Sequence, residues 1–571
     1  MLRIILTLII LFTSYGVYPN NLPIIEYNSI NHPVISKTGM VVSQRQSASQ
    51  VGAEILRKGG NAVDAAVATG LALAVVLPRA GNLGGGGFMV VYLKDADKTI
   101  TIDYRERAPA SAHRDLFLDE KGNYDKNKAQ FSLLSAGVPG TVAGLHLALT
   151  KYGTMSWEEV LEPSIKLAEE GFAVPYDLAN ILASSRYKKR LSSNDAAAES
   201  YYKKDKSNYE AGETLKLPDL AWTLRQLAEY GPDAFYKGEI AKKIVQEMER
   251  NNGLITFEDL ENYKAVERPP VEGTYKDFRI VSMPPASSGG VHLIQMLNML
   301  EEYPINEMGF GSADSIHILA EVMKRAYADR SKHLGDMDFY DVPFSLMSKK
   351  YSRSLNKSIS VKVRTASKDV FPGDPYPYES PDTTHFSVMD QYGNVVSNTY
   401  TLNFSYGSGI MIPGTGMLMN NEMDDFSSKP GVPNGYGLLG SEANSIQPNK
   451  RPLSSMTPTI IFKDDKPYLV LGSPGGSRII TTVLQVALNV MEHKMNVAQA
   501  VNSPRIHHQW LPEVLMMEKG FGPDTEKILK EKGYNLYPSS TMGSVQAIIK
   551  EGEYFYGAAD PRRPGSGAVA P

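Results

Sequence analysis

Residues 382–404, DTTHFSVMDQYGNVVSNTYTLNF, decide the fold. THFSVMD and VVSNTYTL alternate polar and apolar residues on either side of a QYGN turn, which predicts a β-hairpin. Immediately before it, residues 371–382, FPGDPYPYESPD, hold four prolines, so neither a helix nor a central strand can run through them. Residues 349–368 carry seven basic side chains and no acid. The two segments together read as a solvated surface linker. A hydroxyl residue therefore opens a strand directly after a flexible tail. Self-cleavage at Asp382–Thr383 would make Thr383 an N-terminus, supplying its own nucleophile, Oγ, and its own base, an α-amine with a pKa of about 8.

Outward from the hairpin, the C-terminal side reads as strands at GMLMN, TPTIIFK, YLVLGS and VQAIIK, with helices at GSRIITTVLQVALNVMEHK and DTEKILKEKG. On the N-terminal side, SASQVGAEILRKGG has helical spacing and a Gly59-Gly60 stop, and Asn61 is placed to cap a second, buried helix over residues 65–77. FMVVYL and TITIDYRE form a second expected hairpin. Residues 138–330 are mainly helical, with amphipathic stretches such as DLAWTLRQLAEYG and ADSIHILAEVMKRAYADR. Strands and helices in both parts imply layered sheets flanked by helices.

Composition removes whole classes of function. Fifty-nine Lys+Arg against 63 Asp+Glu give a net charge of −4 over 571 residues, so no basic surplus exists to neutralise a phosphate backbone, and no nucleic-acid partner is expected. The absence of cysteine excludes disulfides, thiolate nucleophiles and Cys-ligated metals. Gly84 to Gly87 belong to neither a P-loop nor G-x-G-x-x-G, and close backbone packing is the better account of them. LGSPGGSR is no nucleophile elbow, because Leu471 stands where G-x-S-x-G needs glycine. His507-His508 has no H-E-x-x-H around it and reads as packing; no metal or organic cofactor is implied. Arg3 followed by an apolar run to Thr13 and small residues to Gly16 reads as a signal peptide, residues 1–20, too short to span a bilayer. The mature protein is then expected to be periplasmic or secreted, without a membrane span.

TTHFSV, TYTLNFSYGSG, NNEMDDFSSKPGVPNGYGL, PNKRPLSSMTPTI and GSPGGSRIITT, in this order, resemble the small subunit of the gamma-glutamyltranspeptidase (glutathione hydrolase) family of bacterial type. GGNAVDAA, GNLGGGGFM and DYRERAPA resemble its large subunit. The resemblance spans residues 39–560. It implies an α+β fold, the N-terminal-nucleophile hydrolase αββα four-layer sandwich, built jointly by a large subunit, residues 21–382, and a small subunit, residues 383–571, that pair as a heterodimer after autocleavage.

It also implies roles. Thr383 would attack a gamma-glutamyl carbonyl of glutathione or a related small-molecule donor, and the acyl-enzyme would pass to water or to an amino-acid or peptide acceptor. Gly475 and Gly476 would offer backbone N–H groups to the oxyanion, and Thr401 would orient the nucleophile. Arg105, Ser454 and Ser455 match donors to the substrate α-carboxylate; Asn403, Glu422 and Asp425 match acceptors for its α-ammonium. Arg107, two residues from Arg105, is expected to face the other way. PGVPNGYG, residues 430–437, resembles a lid closed by Tyr436, with Gly435 expected to loosen it. Phe386 and Arg79 depart from the usual pattern. Two other readings compete: an acylase removing a glutaryl-like group, and an inactive secreted scaffold that binds amino acids or a surface.

Overall fold

The computed structural model describes residues 29–371, 383–429 and 431–571. The expected leader, residues 1–20, as well as Asp382 and Pro430, lie outside the described residues. Two seven-stranded antiparallel sheets are stacked face to face. In the first, the order is Gly567–Val569, Gly39–Ser43, Thr383–Asp390, Val395–Thr401, Gly86–Leu93, Lys98–Tyr104 and Val266–Arg268. The second runs Val34–Ser36, Tyr554–Ala559, Gln546–Glu551, Lys466–Gly472, Thr459–Lys463, Phe278–Ser282 and Val271–Tyr275. Each sheet interleaves strands from before and after the proline-rich segment, so neither part of the chain can close its sheet alone.

Both expected hairpins form, and the decisive one pairs Thr383 with Thr401 at its open end. Period-two alternation sends Met40, Val90, Met389, Ile460, Val470 and Ile548 into a dry layer between the sheets. Toward Thr383 the interface becomes polar: Ser387 donates to the Gln546 carbonyl at 3.0 Å and Ser397 to that of Leu471 at 3.1 Å, each across the two sheets. Helices cover the outer faces. Gln46–Arg57 and Ala62–Val76 lie on the first sheet, the latter buried along its whole length and started by an Asn61/Asp64 capping box. Gly289–Leu300, Ala313–His333 and Arg478–Met491 lie on the second.

The glycine run does pack backbone against backbone: a Cβ on Gly85 would sit 2.0 Å from the Thr401 carbonyl, and one on Gly84 would sit 2.3 Å from that of Leu418. The basic stretch before the prolines corrects the linker reading. Lys349–Asn356 is a helix, and the Trp510 indole donates to the Ser367 and Val370 carbonyls at 2.9 and 3.1 Å. The segment is docked because its partners, Trp510 among them, come from far along the chain.

Candidate active site

Thr383, Thr401, Asn403, Arg105, Glu422, Asp425, Tyr436, Ser454, Ser455 and Gly476 line one narrow cavity. Register explains the first pair: facing residues of an antiparallel hairpin share a face, and Thr383 Oγ lies 3.3 Å from Thr401 Oγ. Thr401 is braced from behind, since its carbonyl accepts Asn82 Nδ2 at 2.9 Å while its hydroxyl accepts the Asn403 N–H at 2.8 Å. Asn403 holds a left-handed backbone, φ +73°, which turns the chain out of the strand and into the cavity. His385, on the same face as Thr383, is bonded through both ring nitrogens to Thr399 and Ser387, and burial pushes it down to about 3. It is neutral and fully engaged.

Gly475 and Gly476 precede the helix Arg478–Met491 with φ +140° and +55°, so their amides are presented at a helix start. Gly476 lines the cavity; Gly475, one residue back, is not part of its wall. A Cβ on Gly476 would meet the Tyr436 ring at 2.4 Å, so glycine is what lets this side chain settle there. Tyr436 donates to the Asn403 carbonyl at 2.7 Å and closes the cavity. The lid is tied down at a second point, where the Gly435 N–H donates to Asp424 Oδ2 at 2.9 Å. A Cβ on Gly435 would come within 2.4 Å of both Asp424 and Phe404, so this glycine lets the lid seat closely and does not loosen it. Burial raises Asp424 to about 6.

The charged pole is unusual. Arg105 is completely buried and donates to Glu422, to Asp425 at 2.6 Å and to the Pro452 carbonyl at 3.1 Å. Burial works against its charge, but Glu422, Asp425 and Glu106 outweigh burial and raise it. Glu106, a residue that sequence reasoning passed over, stands 3.6 Å from Arg105, and neither of its carboxyl oxygens has a hydrogen-bond partner. Burial raises Glu106 to about 7 against the pull of Arg105, and raises Glu422 well above the carboxylate range. All three carboxyls around the one guanidinium are pushed toward their protonated forms by burial. Glu422 Oε2 and Asn403 Oδ1 are also buried without a partner among the described residues. Arg107 turns away as expected, to Asn449 and Asn262.

Arg330 also lines the cavity, and sequence reasoning missed it too. The helix that carries it is buried nearly all round between Ala313 and Arg330, so no polar stripe marked its charges as functional. Of the two departures, Phe386 packs edge-on against Tyr400 with ring centres 5.9 Å apart, and Arg79 is buried with its carbonyl accepting the Tyr406 N–H at 2.9 Å. His507 bonds Thr481 and Gln509 at 2.8 and 3.0 Å, as packing requires.

Stacked antiparallel sheets between helical layers, with a threonine at a strand end opening into a polar cavity, define an N-terminal-nucleophile hydrolase. The family model for gamma-glutamyltranspeptidase matches residues 48–570. The chain belongs to the gamma-glutamyltranspeptidase family. It is 53% identical over 534 residues to the glutathione hydrolase proenzyme of Escherichia coli K12, covering 93% of this chain and 91% of that one. The Bacillus subtilis glutathione hydrolase proenzyme is 40% identical, with 95% and 92% covered. Among solved structures, cephalosporin acylase from Bacillus halodurans superposes with a TM-score of 0.83 at 26% identity, covering 97% of this chain and 98% of that one. A Helicobacter pylori gamma-glutamyltranspeptidase chain gives 0.58 at 42% identity, covering 59% of this chain and 96% of its own. No helix among the described residues is long and apolar enough to cross a membrane.

Proposed function

We propose that the chain is a self-processing gamma-glutamyl hydrolase and transferase acting on glutathione and related donors. One observation carries this reading: a single cavity is lined by a threonine hydroxyl together with two guanidinium groups, two serine hydroxyls and carboxyl and amide oxygens that have no partner among the described residues. A gamma-glutamyl donor has that outline, an acyl carbon with a zwitterion three carbons away. Cleavage of Asp382–Thr383 would give a large subunit, residues 21–382, and a small subunit, residues 383–571, and would free the Thr383 α-amine to act as base. Thr383 Oγ then adds to the gamma carbonyl; the oxyanion receives the Gly475 and Gly476 N–H groups, and the amine of the leaving group takes the proton. Water or an amino-acid or peptide amine resolves the ester. The proenzyme names of the relatives support the processing step. Placement in the periplasm or outside the cell rests on the leader-like N-terminus.

The acylase reading has the Bacillus halodurans enzyme on its side as a shared fold. An acyl donor without an ammonium, however, would leave Glu422 Oε2 and Asn403 Oδ1 buried and unpaired, at a cost of roughly 1–3 kcal/mol each. Intact mass and N-terminal sequencing, with a Thr383→Ala control, test the proposal. Two chains, the smaller starting at Thr383, with release of the aniline from a gamma-glutamyl anilide, are expected; Thr383→Ala remains one inactive chain. A folded, uncleaved wild type would return the scaffold reading to first place.

A further inference from the structure

The donor end of the cavity poses a problem of supply. Arg105, the guanidinium matched to the substrate carboxylate, already commits three of its five N–H donors to Glu422, Asp425 and the Pro452 carbonyl, and its charge is shared among carboxylates of the protein. Arg330 stands differently. It is 4% exposed, it lines the same cavity, and no carboxylate among the described residues lies within ion-pair distance of it. Its Nη2 donates to Ser455 Oγ at 3.1 Å and its Nε to Ser288 Oγ at 2.9 Å. Ser288 passes the bond on, donating to the Ser454 carbonyl at 2.8 Å.

Direction is what matters in these bonds. A guanidinium can only donate, so Ser455 Oγ accepts from Arg330 and its own proton is left for another partner. Ser454 is in the same state, because its Oγ accepts the Met456 N–H at 3.0 Å. Both hydroxyls line the cavity with their acceptor side filled from the protein. Two O–H donors beside a buried cation that feels Asp425 at a distance but makes no direct ion pair among the described residues are a carboxylate site. Burial lowers Arg330 to about 10, which leaves it charged at neutral pH.

We propose that Arg330 is a further positioning and specificity residue for the donor's α-carboxylate: it fixes Ser455 as a hydrogen-bond donor and adds a second positive charge to that of Arg105, which the carboxylates of the protein partly offset. The inference rests on the gamma-glutamyl reading above. It assigns to a helix of the N-terminal part a hand in substrate choice, acting through a serine from the C-terminal part.

The test compares two chromogenic anilides on the processed enzyme: gamma-glutamyl, and 4-aminobutanoyl, which keeps the ammonium and lacks the carboxylate. Arg330→Gln should lower the gamma-glutamyl to 4-aminobutanoyl ratio of kcat/KM by about tenfold or more, the equivalent of one charge-assisted hydrogen bond, mainly through KM. Adding Ser455→Ala to Arg330→Gln should cost little further. Equal losses on both donors would overturn the proposal and leave Arg330 a packing residue. Should Arg330→Gln fail to process, Arg330→Lys decides: a lowered ratio supports the forked contact, and a wild-type ratio refutes it. A wild type that turns over neither anilide refutes the gamma-glutamyl reading itself, a separate outcome.

Discussion

Two buried charge clusters, both drawing on distant parts of the chain, show how differently the same side chains are used. In the first, Arg505 and Arg562 meet Asp560 and Glu518, two cations for two anions. Arg562 grips Glu518 with bonds of 2.9 and 2.6 Å, Arg505 reaches Asp560 at 2.6 Å, and backbone N–H groups of Val545, Arg505 and Met542 complete the carboxylates. All four carboxylate oxygens are bonded. In the second, Arg105 faces Glu106, Glu422 and Asp425, and three of their oxygens have no partner. A cluster whose carboxylates are all bonded holds loops in place, even with Arg505 Nε left without a partner among the described residues. One left short of donors beside a cavity is what the ammonium of the proposed gamma-glutamyl donor would complete.

That contrast can be broken by exchanging the losses. Arg105→Gln should cut kcat/KM for a gamma-glutamyl anilide by roughly two to three orders of magnitude, as expected for truncating one partner of a buried, hydrogen-bonded charge pair. Arg505→Gln should instead cost about 3–5 kcal/mol of stability, by denaturant melts, while the molecules that remain folded keep their turnover. A stable, inactive Arg505 variant or an active, unstable Arg105 variant would dissolve the distinction.

The clusters also mark where the sequence was legible. Hairpins, caps and glycine runs were, because each rests on residues a few positions apart: the Asn61/Asp64 box and the Thr383–Thr401 pairing are local. Most of the cavity wall was legible through motifs, not through periodicity. Glu106 was not, since the strand Lys98–Tyr104 ends before it and alternation no longer says where a side chain points. Arg330 was hidden by a helix without a polar face, and the docking of residues 349–371 by partners as far away as Trp510. Patterns report what neighbours in sequence do. They are silent where the partner is two hundred residues off.

Glu106 sharpens the comparison through pH. Burial raises it to about 7 in the fold, so it binds a proton more tightly folded than unfolded. Its contribution to stability is therefore complete below the ordinary carboxylate range and is lost as pH rises through about 7. In the proposed reaction, donor binding runs with the deprotonated form: Glu106 lies outside the cavity wall but shares Arg105 with Glu422, so an ammonium bound at Glu422 favours loss of the Glu106 proton. KM for a gamma-glutamyl donor should fall as pH rises through about 7, by up to about tenfold per unit. Glu106→Gln should flatten that slope, and calorimetry in buffers of different ionisation enthalpy should show fewer protons released on binding. An unchanged KM profile in Glu106→Gln would place the titrating group elsewhere.

The smallest effect concerns the lid. Gly435 touches Asp424, Phe404 and Gln130, with 2.4, 2.4 and 2.7 Å left for an added Cβ. Its φ is not in the left-handed region, so alanine is excluded by neighbours and not by backbone strain. Gly435→Ala must lift the lid or displace Asp424, weakening the N–H bond to Asp424 and unsettling the Tyr436 ring on Gly476. A single neutral-geometry hydrogen bond of about 1 kcal/mol corresponds to a three- to tenfold rise in KM. Limited proteolysis should cut the lid faster in the same variant, and Asp424→Asn, which keeps an acceptor oxygen for Gly435, should cut no faster than wild type. Faster cleavage in Asp424→Asn with none in Gly435→Ala would mean that the carboxyl's charge, and not the close seating that glycine permits, holds the lid shut.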